Sequence, residues 1–367
     1  MPKKEQLFCS NPFRKFFVRE RRLLRPAGGV FNQLFRPAGD VFMCCSSWLK
    51  TPPIGNIKHQ SVDEIWNGEK AQEIRRSILD GSFKYCDRTR CPFLQSISCE
   101  VQRVETVKDE ELKTIIENQL TILPYGPREI DCSFDRSCNL SCPSCRSRVL
   151  IDSAHEHEIL NIQSKLENEI MKAVHVLSIS SSGDPFGSPF YRKWLQTMNI
   201  KKIPHLKQIR LHTNALLWTP KMWSTIPKET QEVVKSTIIS IDAGRPETYS
   251  INRRGGSFER LLENLDFISA LRKCGPLEHV KISMVVQTNN FQEMPDFLQI
   301  GKHYNFDSVY FSQLVNWGTF SEEEYSDRAV HLPGHPRNME FIDMLKNEIF
   351  YDPIVHLGNL RGLLSTR

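Results

Sequence analysis

Cys138, Cys142 and Cys145 stand in the run Ser137-Cys138-Asn139-Leu140-Ser141-Cys142-Pro143-Ser144-Cys145, directly after an apolar stretch of strand character. The CxxxCxxC spacing supplies three thiolates to a four-iron cluster and leaves its fourth iron without a protein ligand. An open iron can bind a substrate or cofactor, whereas a four-cysteine site is closed and chiefly carries electrons. A zinc knuckle or structural thiol cluster is the alternative, because thiolates also suit zinc. Three cysteines with no nearby His or fourth Cys leave a tetrahedral zinc incomplete, which favours iron–sulfur.

Eleven cysteines occur in all, and six of them, Cys9, Cys44, Cys45, Cys86, Cys91 and Cys99, fall in the first hundred residues. Four thiolates converging there would hold a second cluster or a zinc ion. Cys132 precedes the CxxxCxxC motif; a buried, inert thiol is the ordinary reading of such a residue, and a hydrogen donor facing the site the sharper one.

Elements that position these residues follow a βα rhythm. Apolar, β-branched runs at Arg128–Phe134, His175–Ser180, Leu206–His212, Ser236–Asp242, His279–Gln287 and Ser308–Val315 are spaced to leave room for a helix between each pair. Residues Ser257–Lys273 carry apolar side chains at i, i+3, i+4 and i+7 and stop at Cys274-Gly275-Pro276. Six such units predict an α/β fold, a partial (β/α)6 TIM-like barrel, with chemistry at the C-terminal ends of the strands. The cysteine motif follows the first strand, where that rule puts it.

The division expected is a cysteine-rich N-terminal domain over 1–99, a charged helical linker over 100–126, the barrel over 127–320 and a C-terminal extension over 321–367 with a helix near Met339–Phe350. Within the first segment Arg25–Phe31 echoes Arg36–Phe42, each copy reading as a turn then a short strand, and Ser61-Val62-Asp63-Glu64 is a capping box that opens a helix ending at Gly81. A formal charge of +5, with Lys and Arg dispersed, suggests no nucleic-acid partner. The absence of a secretory apolar segment or an 18-residue apolar run predicts a cytoplasmic protein away from the membrane.

The cysteine motif and its flanks resemble those of the radical S-adenosylmethionine (SAM) enzymes. The resemblance implies that the open iron holds the amino and carboxylate groups of SAM, and that one electron cleaves SAM to methionine and a 5′-deoxyadenosyl radical. Ser182-Gly183-Asp184-Pro185 stands where the family carries a Gly-Gly-Glu-Pro-like turn, which implies that Asp184 receives the methionine ammonium and that Ser182 and Gly183 let the backbone approach. A plain strand-end turn is the alternative. His212-Thr213-Asn214 resembles the family's Thr-Asn-Gly. Ser240-Ile241-Asp242-Ala243-Gly244 resembles its Ser-x-Asp-Gly, with Ser240 and Asp242 on one strand face and suited to ribose hydroxyls or substrate; capping of the next helix is the alternative. Gln287 and Asn289 fall in a region that flanks adenosine in the family. Arg253 and Arg254 read either as carboxylate binders or, more ordinarily, as a solvated face. Ser144 replaces the aromatic residue that many members place before the third cysteine.

Cys9, the Cys44-Cys45 pair, Ile54-Gly55-Asn56, Glu64-Ile65-Trp66-Asn67, Cys86 and Cys91 resemble the SPASM or shorter twitch extension, which carries auxiliary iron–sulfur clusters. By that resemblance the ligands are Cys9, Cys44, Cys86 and Cys91, with Cys45 a substitute for Cys44 and Cys99 an extra candidate; one auxiliary [4Fe-4S] cluster is expected, or a zinc site. The extension precedes the barrel here, whereas it usually follows.

Together these implications describe a radical SAM oxidoreductase fed by a flavodoxin or ferredoxin-type donor. It would abstract hydrogen from a peptide or peptide-like substrate, with oxidation or crosslinking aided by the auxiliary cluster. Dehydrogenation of a sugar or aminocyclitol is the second expectation, and a non-catalytic metal-binding or redox-sensing protein the third. No catalytic proton donor is identifiable from the residues.

Overall fold

A computed structural model describes residues 6–27, 30–95, 100–180 and 182–364. The barrel strands form where the apolar runs predict. They are β6 (Glu129–Ser133), β7 (Val176–Ile179), β8 (Gln208–Thr213), β9 (Val234–Ser240), β10 (His279–Val286) and β11 (Ser308–Gln313), following five N-terminal strands described below. Each pairs parallel with the next in sequence order, giving six βα units of a partial barrel. The helix Phe258–Cys274 fills the expected 257–273 window, with Ser257 Oγ accepting from Arg260 N as its N-cap.

Strand alternation explains why this barrel holds a site rather than a packed core. Along β8 the fully buried Ile209, Leu211 and Thr213 alternate with the half-buried Gln208, Arg210 and His212. Arg210 and His212 border an interior cavity with Asp131, Ser178, Ser240, Tyr310 and Ser312 from other strands, while Ile130, Leu177, Leu211, Ile282 and Val309 belong to the buried core. The sheet is apolar toward its helices, while its hollow mixes these polar side chains with apolar ones such as Ile238 and Val285.

The N-terminal segment is built onto this sheet. Strand β1 (Leu7–Cys9) leads through the turn Asn11–Arg14 into β2 (Lys15–Ala27), which pairs antiparallel with β3 (Val30–Phe42) and parallel with β6, Lys15 opposite Glu129 and Arg19 opposite Ser133. Strand β4 (Gly55–Asn56) adds to β3, and β12 (Val355–His356) adds to β11, completing a ten-stranded sheet. Residues 100–126 open with β5 (Val101–Arg103), which pairs with β1, before the helix Glu110–Glu117. The echoed Arg36–Phe42 segment is strand throughout rather than turn and strand. Its Gly39 takes φ +66° close to the register shift between Arg19 and Arg21, where an extra residue needs left-handed backbone. Gly28 and Gly29 of the first copy lie outside the described residues. In the C-terminal extension the helix is Asn338–Leu345, followed by a single turn at Glu348–Tyr351.

The helix Glu69–Leu79 fastens the Cys9 segment. Its Arg75, fully buried, donates from Nε to the Pro12 carbonyl at 3.0 Å and from Nη1 to the Thr121 carbonyl at 2.7 Å, with its guanidinium 4.4 Å from the Trp66 ring. Two backbone carbonyls and an aromatic face thereby satisfy a cation that burial alone would expel. Among the described residues, no helix is long and apolar enough to cross a membrane.

Candidate functional site

One cavity of about 530 Å³ occupies the barrel hollow, and Cys138, Cys142 and Cys145 all border it. The loop carrying them is held by backbone bonds on both sides. Cys138 N donates to the Leu150 carbonyl at 2.8 Å, and Ser141 N donates to the Arg254 carbonyl at 3.1 Å. Each thiol meets a nitrogen donor: Asn214 Nδ2 at 3.7 Å from Cys138, Arg253 Nη1 at 3.6 Å from Cys142, and Arg146 Nη2 at 3.4 Å from Cys145. Burial pushes the Cys138 thiol up to about 12, and also raises Cys142, while Arg146 and Arg253 respectively pull them back. Metal ligation needs thiolates, so these guanidinia favour the deprotonated donor set that iron takes. The donors therefore suit a cluster bound through three cysteines.

Arg146 and the neighbouring Arg136 are absent from the sequence expectations, and Arg253 reverses its ordinary reading. Arg146 also donates to the Ser182 and Arg136 carbonyls, and Arg136 Nη2 reaches the Cys145 carbonyl at 3.1 Å. Arg253 is no solvated face: its side chain is 12% exposed and pairs with Asp242, 3% exposed, at 2.8 Å. Arg254 is exposed, yet donates from Nε to Ser141 Oγ at 3.1 Å and from Nη2 to the Ser147 carbonyl at 2.9 Å. A basic residue directly after the third cysteine was the readable signal for Arg146; the others are brought in by the fold.

Asp184 is 1% exposed, and its four hydrogen bonds all lie within the chain. Oδ1 accepts from Phe186 N (3.0 Å) and Gly187 N (2.8 Å), and Oδ2 accepts from Thr213 Oγ1 and Asn214 N, both at 2.8 Å. A carboxylate has about four lone-pair sites, and here all are filled. As placed, it ties the end of β7 to the end of β8 and aims Asn214 at Cys138. Gly183 fits the close approach expected of it: a Cβ would lie 2.6 Å from the Asp135 carbonyl oxygen and 2.8 Å from that of Ser137. Ser182 borders the cavity and donates to Glu20 Oε2 or the Ser133 carbonyl, each at 3.0 Å.

Ser240 and Asp242 both border the cavity, but strand alternation does not place them there together. Strand β9 ends at Ser240, and Asp242 takes φ +58° to reach Arg253 and to accept from Val285 N at 2.7 Å. Left-handed backbone also occurs at Ser180 (+66°) and Ala215 (+63°), just beyond the ends of β7 and β8. Non-glycine residues held so at three consecutive strand ends mark a rim whose shape is imposed by its surroundings. Gln287 and Asn289 do not border the cavity. Strand β10 ends at Val286, Val285 is the residue facing inward, Gln287 is buried behind it, and Asn289 is exposed and donates to Asn252 Oδ1 at 2.9 Å. Cys132 is fully buried on the apolar side of β6, as its ordinary reading required.

The N-terminal cysteines sort themselves between two cavities. Cys9, Cys44, Cys86 and Cys91 border one compact, apolar pocket together. Cys45 turns the other way, into the barrel cavity, with its sulfur 3.0 Å from Ser47 Oγ. Cys99 lies outside the described residues. Asn11, Trp48 and Phe93 border both cavities, so they form the partition between them. The two aromatic rings pack edge to face at 5.3 Å. Among the described residues no three His, Cys, Asp or Glu side chains converge tightly enough for a single ion.

His212 borders the barrel cavity with Nε2 2.8 Å from Ser240 Oγ, and burial, helped by Arg253, lowers its pKa to about 4. His331, 8% exposed, is likewise lowered to about 4, by burial and then His335. Both are neutral at pH 7. Unfolding restores their ordinary value near 6.5, so the unfolded chain binds more protons between about pH 6.5 and 4. Urea unfolding of the metal-free protein should therefore lose stability as pH falls through that window. The loss should reach about 3 kcal/mol from His331 and less from His212, which borders open space. His331→Gln should flatten the dependence, and an unchanged profile would refute the assignment.

Comparison with known proteins agrees with this geometry. The Radical SAM superfamily model matches residues 133–311, and the SPASM iron–sulfur cluster-binding domain matches residues 30–92. GTP 3′,8-cyclase of Peptoclostridium acidaminophilum is 26% identical over 235 residues, 62% of this chain and 69% of that protein. The enzyme of Petrotoga mobilis is 30% identical over 185 residues, 48% of this chain and 53% of that protein, so the chain spans about half the length of some of its curated relatives. Among solved structures, Streptococcus suis SuiB overlaps with a TM-score of 0.41 at 14% identity, covering 67% of this chain and 52% of that one. The structure of anSMEcpe with bound AdoMet and a peptide gives 0.40 at 17%, covering 63% of each. The matched domains imply a [4Fe-4S] cluster with SAM in the barrel and auxiliary iron–sulfur in the N-terminal segment. The chain belongs to the radical SAM superfamily, with its SPASM domain ahead of the barrel and built onto the barrel sheet.

Proposed function

We propose that this enzyme removes a hydrogen atom from an anion-bearing substrate, a peptide or peptide-like molecule presenting a carboxylate, and that the auxiliary site assists its oxidation or crosslinking. The observation that carries the reading is the shared cavity. Cys138, Cys142 and Cys145 border it at one side, and the partition of Asn11, Trp48 and Phe93 that backs Cys9, Cys44, Cys86 and Cys91 borders it at another. When bound, the barrel cluster and SAM supply the 5′-deoxyadenosyl radical; a flavodoxin or ferredoxin-type donor supplies the electron. The chain's own residues hold and shape: Asp184 fixes the β7 and β8 ends, Ser182, Ser240 and Asp242 offer polar groups to SAM or substrate, and Arg253 draws the buried Asp242 toward its charged form.

The charge of the substrate follows from Arg210. It projects from β8 into the cavity, and its guanidinium has neither a hydrogen bond nor an ion pair among the described residues. A carboxylate or phosphate would satisfy that guanidinium bidentately, whereas an uncharged sugar or aminocyclitol would not. Kinship to GTP 3′,8-cyclases favours a second reading, a nucleotide whose phosphate takes the same place.

Anaerobic assays with dithionite test both. SAM should be cleaved to methionine and 5′-deoxyadenosine, and a true substrate should accelerate that cleavage. Acidic peptides and nucleoside triphosphates form the two arms, and neutral sugars the control. Arg210→Gln should weaken binding of the active substrate about ten- to hundredfold, the loss of one charge-assisted contact. An enzyme that cleaves no SAM when fully loaded with iron would refute the catalytic reading.

A further inference from the structure

Asn11 lies beside the N-terminal cysteines and also borders the barrel cavity. It is 1% exposed. Its side-chain Nδ2 sits 3.7 Å from Cys44 Sγ, and its backbone N–H serves the sulfur of Cys9. One residue thus donates to two of the four thiols. Cys91 receives its donors from the backbone of Phe93 and Leu94, which among the described residues leaves Asn11 as the side chain that supplies an N–H to this site. The opposite end of its amide, Oδ1, is buried with no partner. Turning the amide over would set that oxygen against the sulfur, so repulsion from a thiolate fixes the donor inward at the expense of a stranded carbonyl. Its position is not free to relax, because the next residue, Pro12, gives its carbonyl to the buried Arg75.

We propose that Asn11 sets the reduction potential of the auxiliary cluster. An N–H···S bond withdraws electron density from a ligating sulfur and stabilises the reduced, more negative cluster, so it raises the potential. Burial strengthens the effect, because no water competes for the sulfur. A higher potential makes the cluster a better acceptor for an electron leaving a substrate in the adjoining cavity. Asn11 is a positioning residue in this scheme: it acts on the cluster through Cys44 and Cys9.

The inference rests on the reading of Cys9, Cys44, Cys86 and Cys91 as cluster ligands, and the experiment separates the two. Full-length protein with Cys138, Cys142 and Cys145 replaced by alanine is reconstituted anaerobically, so that only the N-terminal site loads. Its reduction is followed by electron paramagnetic resonance at controlled potentials. Asn11→Leu keeps the branched shape without a donor, and Asn11→Gln keeps the amide. The expected result is an unchanged iron and sulfide content with a potential lowered in Asn11→Leu by about tenfold in the reduction equilibrium, 59 mV for one electron, and largely restored in Asn11→Gln. Equal potentials in all three proteins at equal iron content would overturn the role of Asn11 and leave the cluster in place. Parent protein that takes up no iron and sulfide would overturn both. Should Asn11→Leu fail to load, Asn11→Ser decides: a potential lowered toward that same direction supports the proposal, and a parental one overturns it.

Discussion

Alanine at Cys142 should reduce SAM cleavage to the level of a protein-free control while the N-terminal site keeps its metal. Cys142 is one of the three motif thiols around the barrel cavity, which Cys45 also borders from the N-terminal segment, and neither His nor a fourth cysteine stands nearby in sequence to replace it. Two thiolates and a water-filled gap leave an iron cluster open on two corners, where solvent and oxygen degrade it. Iron should fall from about eight to about four per chain, with sulfide in step. Cys44→Ala should produce the converse: the N-terminal iron is lost, and SAM cleavage without substrate persists. Cys45→Ala should alter neither iron count, because its sulfur faces the barrel cavity instead. Anaerobic iron and sulfide analysis, paired with chromatography of methionine and 5′-deoxyadenosine, reads all three variants. Loss of iron at both sites from a single substitution would mean that the two cysteine groups do not act as separate sites.

The barrel was readable because its signal is local. Each strand run is a few β-branched residues long and is followed by enough chain for a helix, and the structure moves the boundaries by only one or two residues in most cases. The three barrel cysteines were readable for the same reason, lying within eight residues of one another. What the sequence hides is pairing at long range. Strand β2 lies against β6 although more than a hundred residues separate Lys15 from Glu129, and no periodicity records such a partner. Asp184 borders the cavity, and it too gains partners from far along the chain. Its place after β7 suggested a contact with a ligand ammonium, but the fold brings Thr213 and Asn214 to it first. Gln287 and Asn289 were assigned by resemblance to a region that flanks adenosine; here β10 stops at Val286, and neither side chain borders the cavity. Arg253 misleads in the opposite sense. Two adjacent arginines look solvated, yet burial of one of them is tolerated because Asp242 and the Cys142 sulfur wait for it.

That pair makes the second large effect predictable. Arg253→Leu leaves Asp242 buried without its cation, and breaking a buried pair at one end costs about 3–5 kcal/mol. The carboxyl already sits above its ordinary range through burial, with Arg253 and the Val285 N–H pulling it back. Without Arg253 it rises further. A folded-state carboxyl above its unfolded value favours the protonated form, so the penalty shrinks as pH falls and deepens as pH rises past about 4. Urea unfolding of metal-free protein at pH 5 and pH 8 should therefore show the larger deficit at pH 8. Adding Asp242→Asn to Arg253→Leu removes the stranded charge, and most of the lost stability should return. The coupling in that double-mutant cycle isolates the pair from packing changes. If the double variant is instead as unstable as the sum of the singles, the two side chains are independent. The Cys142 loop would then owe its shape to Ser141 and Arg254, whose backbone and side-chain bonds hold the same turn from outside.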